Sequence, residues 1–400
     1  MFHPIAVIAW ETLLIVFSSI VLIPIGTFFL ECMAALTAPF RLPFGRSPIA
    51  PTLAVLVPAH NEAACIRATL KSLVGQIRPS DRLIVIADNC TDATAKIARA
   101  CGVTVIERFE PNPLLRGKGY ALDFGLRAIA ADPPDVVVTV DGDCVAASGA
   151  IAQLANQAHQ TLRPVQATYL MNPPKQPTPK DYISALAVVV KNQVRPLGLS
   201  RFGLPNLLTG SGMAFPWRVI QQTCLAGSKT CDDMQTSIDL AIAGYPPTFC
   251  PQAQITGRLM ADRAAFNQRS RWEHGHLEMF TTQVPRLVLA AVRQRRIDLF
   301  ALALEIAVPP LALLVMTWLV MAILAVASGI LTGFWVAAVE LAIGGILLTV
   351  GVVSSWWKFG RTYLSPLQLL SIPFYALWKI PLYLGYMLKP QTRWLKTERD

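Results

Sequence analysis

From Thr12 to Leu30 the chain carries no charged side chain and almost no polar one, and a second apolar stretch runs from about Phe300 to Val353. Roughly 20 such residues in a helix match the hydrocarbon thickness of a bilayer, where every backbone polar group must be satisfied within its own segment. Both regions are therefore expected as membrane-crossing helices, and folding in water is confined to the middle of the chain. Of the 400 residues 53% are hydrophobic and 15% charged, too apolar for an ordinary soluble protein.

Glu11 and Glu31 bracket the first run. A cleavable signal peptide is disfavoured, because Met1-Phe2-His3-Pro4 contains no Lys or Arg and no small-x-small site follows. The run is expected to stay as an anchor. In the second region Gly329 with Thr332-Gly333 offers a turn, which predicts a hairpin of two spans. Tyr363 to Leu388 is interrupted by Pro366, Pro373 and Pro381 and contains Lys379. Arg41 and Arg46 after the first span, and Lys358 and Arg361 after the hairpin, mark one side as cytoplasmic. A fourth full span would carry Lys389, Arg393, Lys396 and Arg399 to the other side, so an interfacial or re-entrant segment fits better. The expected division is an anchor over 1–40, a cytosolic domain over 48–297, a membrane hairpin over 298–355, and an interfacial segment with a basic tail over 356–400. The net charge of +10 then reads as basic loops beside anionic lipid, with no nucleic-acid partner. Eight cysteines without a CxxC pair indicate neither zinc nor a disulfide framework.

Between Pro51 and about Arg296 short β-branched runs alternate with helical segments, the signature of an α/β domain with a mostly parallel sheet. Strands are expected at Leu53–Val57, Arg82–Ala87, Val103–Ile106 and Val136–Val140, and helices at Cys65–Val74, Ala93–Ala100 and Tyr120–Ala130. Ligands of such sheets bind beyond the carboxyl ends of the strands. Pro58 to Glu62, Asp88 to Asp92 and Asp141 to Asp143 fall there, and helix capping alone would not require acids at all three ends.

Asp141-Gly142-Asp143 places two carboxylates one residue apart, suited to one hard cation such as Mg2+ or Mn2+. Arg116-Gly117-Lys118-Gly119 opens a helix with a cationic loop suited to phosphate or to a solvated turn. Gly210-Ser211-Gly212 lets a backbone approach a ligand closely, and its spacing fails the serine-hydrolase elbow. Asp232-Asp233 starts an apolar-patterned helix over Met234–Ala243; the pair either favours the helix dipole or supplies a base for a hydroxyl. Gln268-Arg269-Ser270-Arg271-Trp272 offers amide and guanidinium donors beside an aromatic face, or snorkelling basic residues near a membrane. A cation site, a base and a fixed positive clamp together suit the departure of a charged diphosphate from a sugar.

Taken together these residues resemble the inverting, membrane-bound family-2 glycosyltransferases, a group that includes cellulose, chitin and hyaluronan synthases and bacterial exopolysaccharide transferases. The likeness covers about Pro51 to Trp272, and Arg195-Pro196-Leu197-Gly198, Leu208 to Phe215 and Trp394 to Arg399 add to it. It implies a GT-A type nucleotide-binding domain with transmembrane helices at both ends. It also implies that Pro58, Ala59, Asn61, Glu62, Asp88, Lys118 and Asp141 hold a UDP-sugar, and that Asp141 and Asp143 bind the metal. Asp233 aligns with the base of a T-E-D motif that here reads Cys231-Asp232-Asp233, while Gln268, Arg271 and Trp272 match QxxRW on the diphosphate and acceptor. Gly210, Ser211, Gly212 and Asp232 fall on the acceptor side. The expected reaction is a direct displacement in which Asp233 deprotonates an acceptor hydroxyl. Three spans are few for a polymer channel, which favours a lipid-linked saccharide acceptor at a bacterial inner membrane, with polysaccharide-assembly proteins as partners. A processive synthase, a ceramide-type glucosyltransferase and a nucleotide-sugar-binding assembly subunit are the alternatives. A transporter would need repeated spans that are absent.

Overall fold

A computed structural model describes residues 4–37, 50–226, 232–260 and 262–388. Arg41, Arg46, Cys231 and the basic tail from Lys389 to Arg399 lie outside the described residues.

The middle of the chain builds one eight-stranded sheet: β1 Leu53–Ala59, β2 Arg82–Asp88, β3 Thr104–Arg108, β4 Val136–Thr139, β5 Val145–Ala146, β6 Val165–Asn172, β7 Met213–Pro216 and β8 Thr248–Arg258. Their spatial order is β3-β2-β1-β4-β7-β6-β8-β5. The first four strands pair in parallel, Val55 opposite Leu83 and Val138, and Ile86 opposite Ile106. At β7 the direction reverses: β4–β7 and β6–β7 are antiparallel and β6–β8 parallel again. The parallel character read from the sequence thus holds for the nucleotide-binding type half and gives way to a mixed sheet in the other.

The helices of this domain are α2 Ile66–Val74, α3 Thr94–Ala100, α4 Lys118–Ile129, α5 Ala150–Thr161, α6 Pro179–Val189, α7 Arg195–Arg201, α8 Trp217–Ile220 and α9 Asp232–Ile242, after α1 Pro4–Leu36 at the N-terminus. The period-2 alternation of each strand sends its residues to opposite faces. Leu53, Val55 and Val57 pack with Leu70 and Leu73 of α2 and Ile151 and Leu154 of α5, whereas Ala54 and Leu56 meet Ala121 and Leu122 of α4 on the other face. Each fully buried Leu, Ile or Val contributes about 1.5–3 kcal/mol, so both layers hold the strand ends in register.

Between α6 and α7 the helix widens into one π-helical stretch, Val190–Val194. The cause lies two residues on: Pro196 cannot donate to the Asn192 carbonyl, and its ring crowds that oxygen. Asn192 instead donates its side-chain amide to the Tyr169 carbonyl of β6 at 3.0 Å, which ties the widened turn to the sheet.

Three helices are long and apolar enough to cross a membrane, spanning Ile5–Leu36, Leu311–Thr332 and Val336–Gly360. They contain α1, α12 Leu311–Thr332 and α13 Val336–Ser355; α10 Asp262–Gln294 and α11 Ile297–Ala307 precede the last two. The hairpin turn falls at Gly333, φ 80°, as the sequence implies. Two expectations are corrected. The hairpin begins at Leu311, because Pro309-Pro310 ends α11, and that helix packs against α9 and α10 through Leu299, Leu302 and Ile306. Glu11 and Glu31 do not flank the first span but lie inside α1, each satisfied by another element. Glu11 accepts hydrogen bonds from Ser328 at 2.6 Å and Thr332 at 2.8 Å. Glu31 accepts from Arg195 Nε at 2.6 Å, and Glu305 takes the same guanidinium at 2.7 Å, all three nearly inaccessible. Gly198 makes this approach possible, since a Cβ there would lie 2.0 Å from the Glu31 carbonyl oxygen. The proline-rich end forms only short helices, α14 Pro366–Leu369, α15 Ile372–Trp378 and α16 Ile380–Leu388, none of a length to span.

Candidate active site

The site lies where β1, β2 and β4 end. Pro58 and Ala59 close β1, and Gly142 sits against them: its N–H donates to the Pro58 carbonyl at 3.3 Å, and a methyl on it would meet Ala59 Cβ and Glu62 Cγ within 3.2 Å. The expected nucleotide residues Pro58, Ala59 and Glu62 are thus neighbours of Asp141 and Asp143. Glu62 is buried and anchors the turn, its N–H donating to Thr94 Oγ1 at 2.7 Å and its carbonyl accepting from Cys65 and Ile66. Asn61 adopts φ 55° and accepts from the Thr91 N–H at 2.8 Å, which joins the first strand end to the second. Asp88 is buried, and its Oδ1 is held by Arg108 at 2.7 Å and by Asn89.

Lys118 is the hub. It ion-pairs with Asp141 and donates to the Gly210 carbonyl at 2.7 Å. Gly210 has φ 100°, a conformation L residues rarely adopt, and the point its Cβ would occupy lies 3.3 Å from Asp233 Oδ2 and 3.7 Å from Lys118 Nζ. Residues from the end of β4, the start of α4, the turn before β7 and the start of α9 therefore converge on one spot. Ser211 is buried, and its hydroxyl accepts from the Asp141 N–H at 3.1 Å. Gly212 faces away, toward Ile255 and Ala167 in the sheet. Asp232 meets α4 at the next residue: its Oδ2 is 3.2 Å from where a Gly119 Cβ would lie.

The charges are set by this packing. Burial raises the Asp233 carboxyl above the ordinary range, and Lys118 opposes the rise. Burial alone would lower the Lys118 ammonium, but the adjacent Asp141 carboxylate outweighs it and the pKa is raised. Asp143 is raised by burial and by the charge of Asp141. Ligand atoms of Asp141, Asp143 and Cys144 lie within 4.8 Å of one another, a group able to hold a metal ion. Cys144 is pushed well up by burial, so it stands as a thiol, 3.6 Å from the Tyr169 hydroxyl, and leaves two hard carboxylates as the donors suited to Mg2+ or Mn2+.

Gln268, Arg271 and Trp272 share one face of α10, as i, i+3 and i+4 require. Gln268 is buried and its Oε1 has no hydrogen-bond partner among the described residues. Trp272 packs on the sheet core and lines a cavity toward the spans. Arg269, on the neighbouring face, pairs with Asp181 at 2.7 Å.

Three residues outside the motifs also shape the site. Arg108 fixes Asp88, Gln166 holds the Thr209–Gly212 turn by accepting from Thr209 N–H and donating to the Ser211 carbonyl, and Lys191 projects from the π-helical turn. Only Gln166 left a signal in the sequence, as a lone amide in the apolar run Val165–Met171.

Among solved structures the fold is similar to a mannosyltransferase from Pyrobaculum calidifontis in complex with GDP-Man and Mn2+, with TM-score 0.56 and 21% identity, covering 92% of this chain and 98% of that one. The likeness identifies a GT-A type fold that extends through the apolar helices. Shorter stretches are similar to a probable glycosyltransferase, YdaM, of Bacillus subtilis, 37% identical over 100 residues and 23% of each chain. Another is similar to glucosyl-3-phosphoglycerate synthase of Mycobacterium tuberculosis, 36% identical over 102 residues, 24% of this chain and 29% of that protein. The chain spans less than a third of the length of these curated relatives. The family model described as glycosyltransferase like family 2 matches residues 50–275, more than half of the chain, and the protein belongs to that family.

Proposed function

We propose that this family-2 glycosyltransferase is an inverting, metal-dependent enzyme that moves a sugar from a UDP-sugar to a hydroxyl of a lipid-linked saccharide in exopolysaccharide synthesis. The observation that carries the reading is the convergence of Asp141, Lys118 and Asp233 on Gly210. Asp141 and Asp143 would hold a divalent cation, which when bound neutralises charge on the diphosphate leaving group; Mn2+ accompanies the nucleotide sugar in the Pyrobaculum calidifontis neighbour. Lys118 sits where it adds a second positive charge, and Glu62 with the strand-end turn forms the nucleotide side. The acceptor oxygen attacks the anomeric carbon as the bond to the diphosphate oxygen breaks, and the acceptor proton passes to the Asp233 carboxylate. One carboxylate is enough for a single displacement. Gln268, Arg271 and Trp272 are assigned to the diphosphate and acceptor, and Gly210, Ser211, Gly212 and Asp232 to the acceptor side.

The UDP preference rests on the resemblance of Pro58 to Glu62 and Asp88. The domain over 48–297 is proposed to face the bacterial cytoplasm. Lys358 supports the shared side of the spans, because its ammonium donates to the Leu36 carbonyl at 2.8 Å and so joins the ends of α1 and α13. The test is incubation of membranes with a panel of radiolabelled nucleotide sugars, followed by separation of chloroform-soluble lipid from polymer. Label in lipid, lost at least about 100-fold in Asp233→Asn, is expected. Unchanged transfer by that variant would remove the base assignment, and polymer formed by the purified chain alone would favour the processive alternative.

A further inference from the structure

A cavity of about 160 Å3 lies where the three apolar spans meet the catalytic domain. Phe28 of α1, Leu311 and Val315 of α12 and Val352 of α13 supply hydrocarbon walls. Trp272, Arg269, Glu273 and His276 along α10 and Lys191 on the π-helical turn also line it and add polar groups. Most cations here are already neutralised: Arg195 by Glu31 and Glu305, Arg269 by Asp181, and Lys379 by Glu273. Lys191 has no ion-pair or hydrogen-bond partner among the described residues, and it is exposed. It lines the cavity, and its charge acts on Asp233, which is not among the cavity's lining residues.

We infer that this cavity is the acceptor's lipid slot, in which a long-chain alkyl or isoprenoid phosphate lays its hydrocarbon against the spans and its phosphate on Lys191. The apolar wall comes from helices of a length and composition to cross a membrane, and the Lys191 ammonium, whose charge acts on Asp233, is among the lining residues. An anionic amphiphile satisfies both, whereas a soluble sugar phosphate would leave the hydrocarbon wall uncovered and a neutral lipid would leave Lys191 without a counterion. The π-helical turn, held by Asn192, aims the lysine. The assignment rests on the proposed lipid-linked acceptor and names where that lipid binds.

The test uses the full chain in nanodiscs of phosphatidylcholine and a photoreactive diazirine-bearing hexadecyl phosphate. Labelled peptides covering 183–191 and 311–315 are expected, with labelling about tenfold above that from the matching alkanol, the scale of one charge-assisted contact. Lys191→Gln, an exposed site that leaves the fold intact, is expected to erase that difference. Ala312→Trp, which fills the cavity, is expected to lower labelling by both probes while donor-nucleotide affinity stays unchanged. Equal labelling by the alkanol, insensitivity to Lys191→Gln, full displacement by inorganic phosphate, or equal displacement by phosphatidylglycerol would each overturn the inference. Labelling does not depend on turnover. If the slot is labelled but no lipid product forms, the proposed function falls and the slot stands; if lipid product forms without labelling, the slot falls and the proposed function stands.

Discussion

Replacing Lys118 by Met removes the cation that organises the centre. In the native protein its ammonium meets the Asp141 carboxylate and the Gly210 carbonyl, and its field holds down the carboxyl of Asp233. Each charge-assisted contact is worth about 1.5–3 kcal/mol. The Lys118 side chain keeps 32% of its surface accessible, so water recovers part of the loss, and the effect of one contact rather than two is expected. That is a fall in kcat/KM of about 10- to 150-fold at neutral pH, with Lys118→Arg retaining most of the rate. The pH profile supplies a second, independent readout. As the proposed base, Asp233 would have to be ionised to accept a proton; burial already raises its pKa, and Lys118 lowers it. Without Lys118 the pKa climbs further, so the acidic limb of kcat/KM moves to higher pH. The measurement is kcat/KM for sugar transfer across the range from about pH 4 to about pH 9 in the wild type and both variants. A Met variant within about twofold of wild type, or an acidic limb that stays put or moves down, would refute the coupling of Lys118 to Asp141 and Asp233.

Chelation of divalent metal should abolish transfer and restoration with Mn2+ should return it, while Cys144→Ser keeps both activity and the Mn2+ electron paramagnetic resonance signal; loss of that signal would make the thiol a ligand. Asp143→Asn is expected to weaken the same signal. Arg195→Met leaves Glu31 and Glu305 buried without a counterion and should lower stability by about 3–5 kcal/mol, seen as an earlier thermal transition in detergent. The triple change Glu31→Gln, Arg195→Met, Glu305→Gln should recover most of it, and a single variant melting with the wild type would contradict the ion triad. His276 is held neutral by burial, its pKa lowered to about 3, and it donates from Nε2 to the Ile306 carbonyl. The unfolded chain takes up this proton below about pH 6.5 and the folded one does not, so stability is full above about 6.5 and falls by roughly 1.4 kcal/mol per pH unit toward about pH 3. His276→Gln should flatten that slope, and an unchanged slope would place the pH sensitivity elsewhere.

The parallel half of the sheet was legible because each strand there is an uninterrupted β-branched run ending in polar residues, and all four expected strands are found within two residues of their positions. The gathering of Asp141, Asp143, Glu62 and Lys118 was readable for the same reason: they follow strand ends or open a helix, and sheet geometry brings such positions to one edge. The reversal at β7 was not legible. Met213 to Pro216 is a four-residue strand whose direction depends on its partners β4 and β6. Glu11 and Glu31 misled because an acid in an apolar run normally marks its end; here Ser328 and Arg195, distant in sequence, make it tolerable within the helix. Lys191 carried no pattern at all, since its position follows from a change of helix type forced by Pro196 and anchored by Asn192.

That change of helix type has a consequence for sequence length. A π-helical turn holds one more residue than the α-helical turn it replaces, so the segment 190–194 works as a counted spacer. Losing one residue, Gln193 for instance, would let α6 and α7 close into a regular helix and would turn everything before the deletion by about 100° relative to everything after it. Either Lys191 would leave the cavity mouth, or Arg195 would leave the two glutamates that fasten the first span. A substitution in this stretch changes one side chain and keeps the count, whereas an insertion or deletion there uncouples the membrane helices from the catalytic domain.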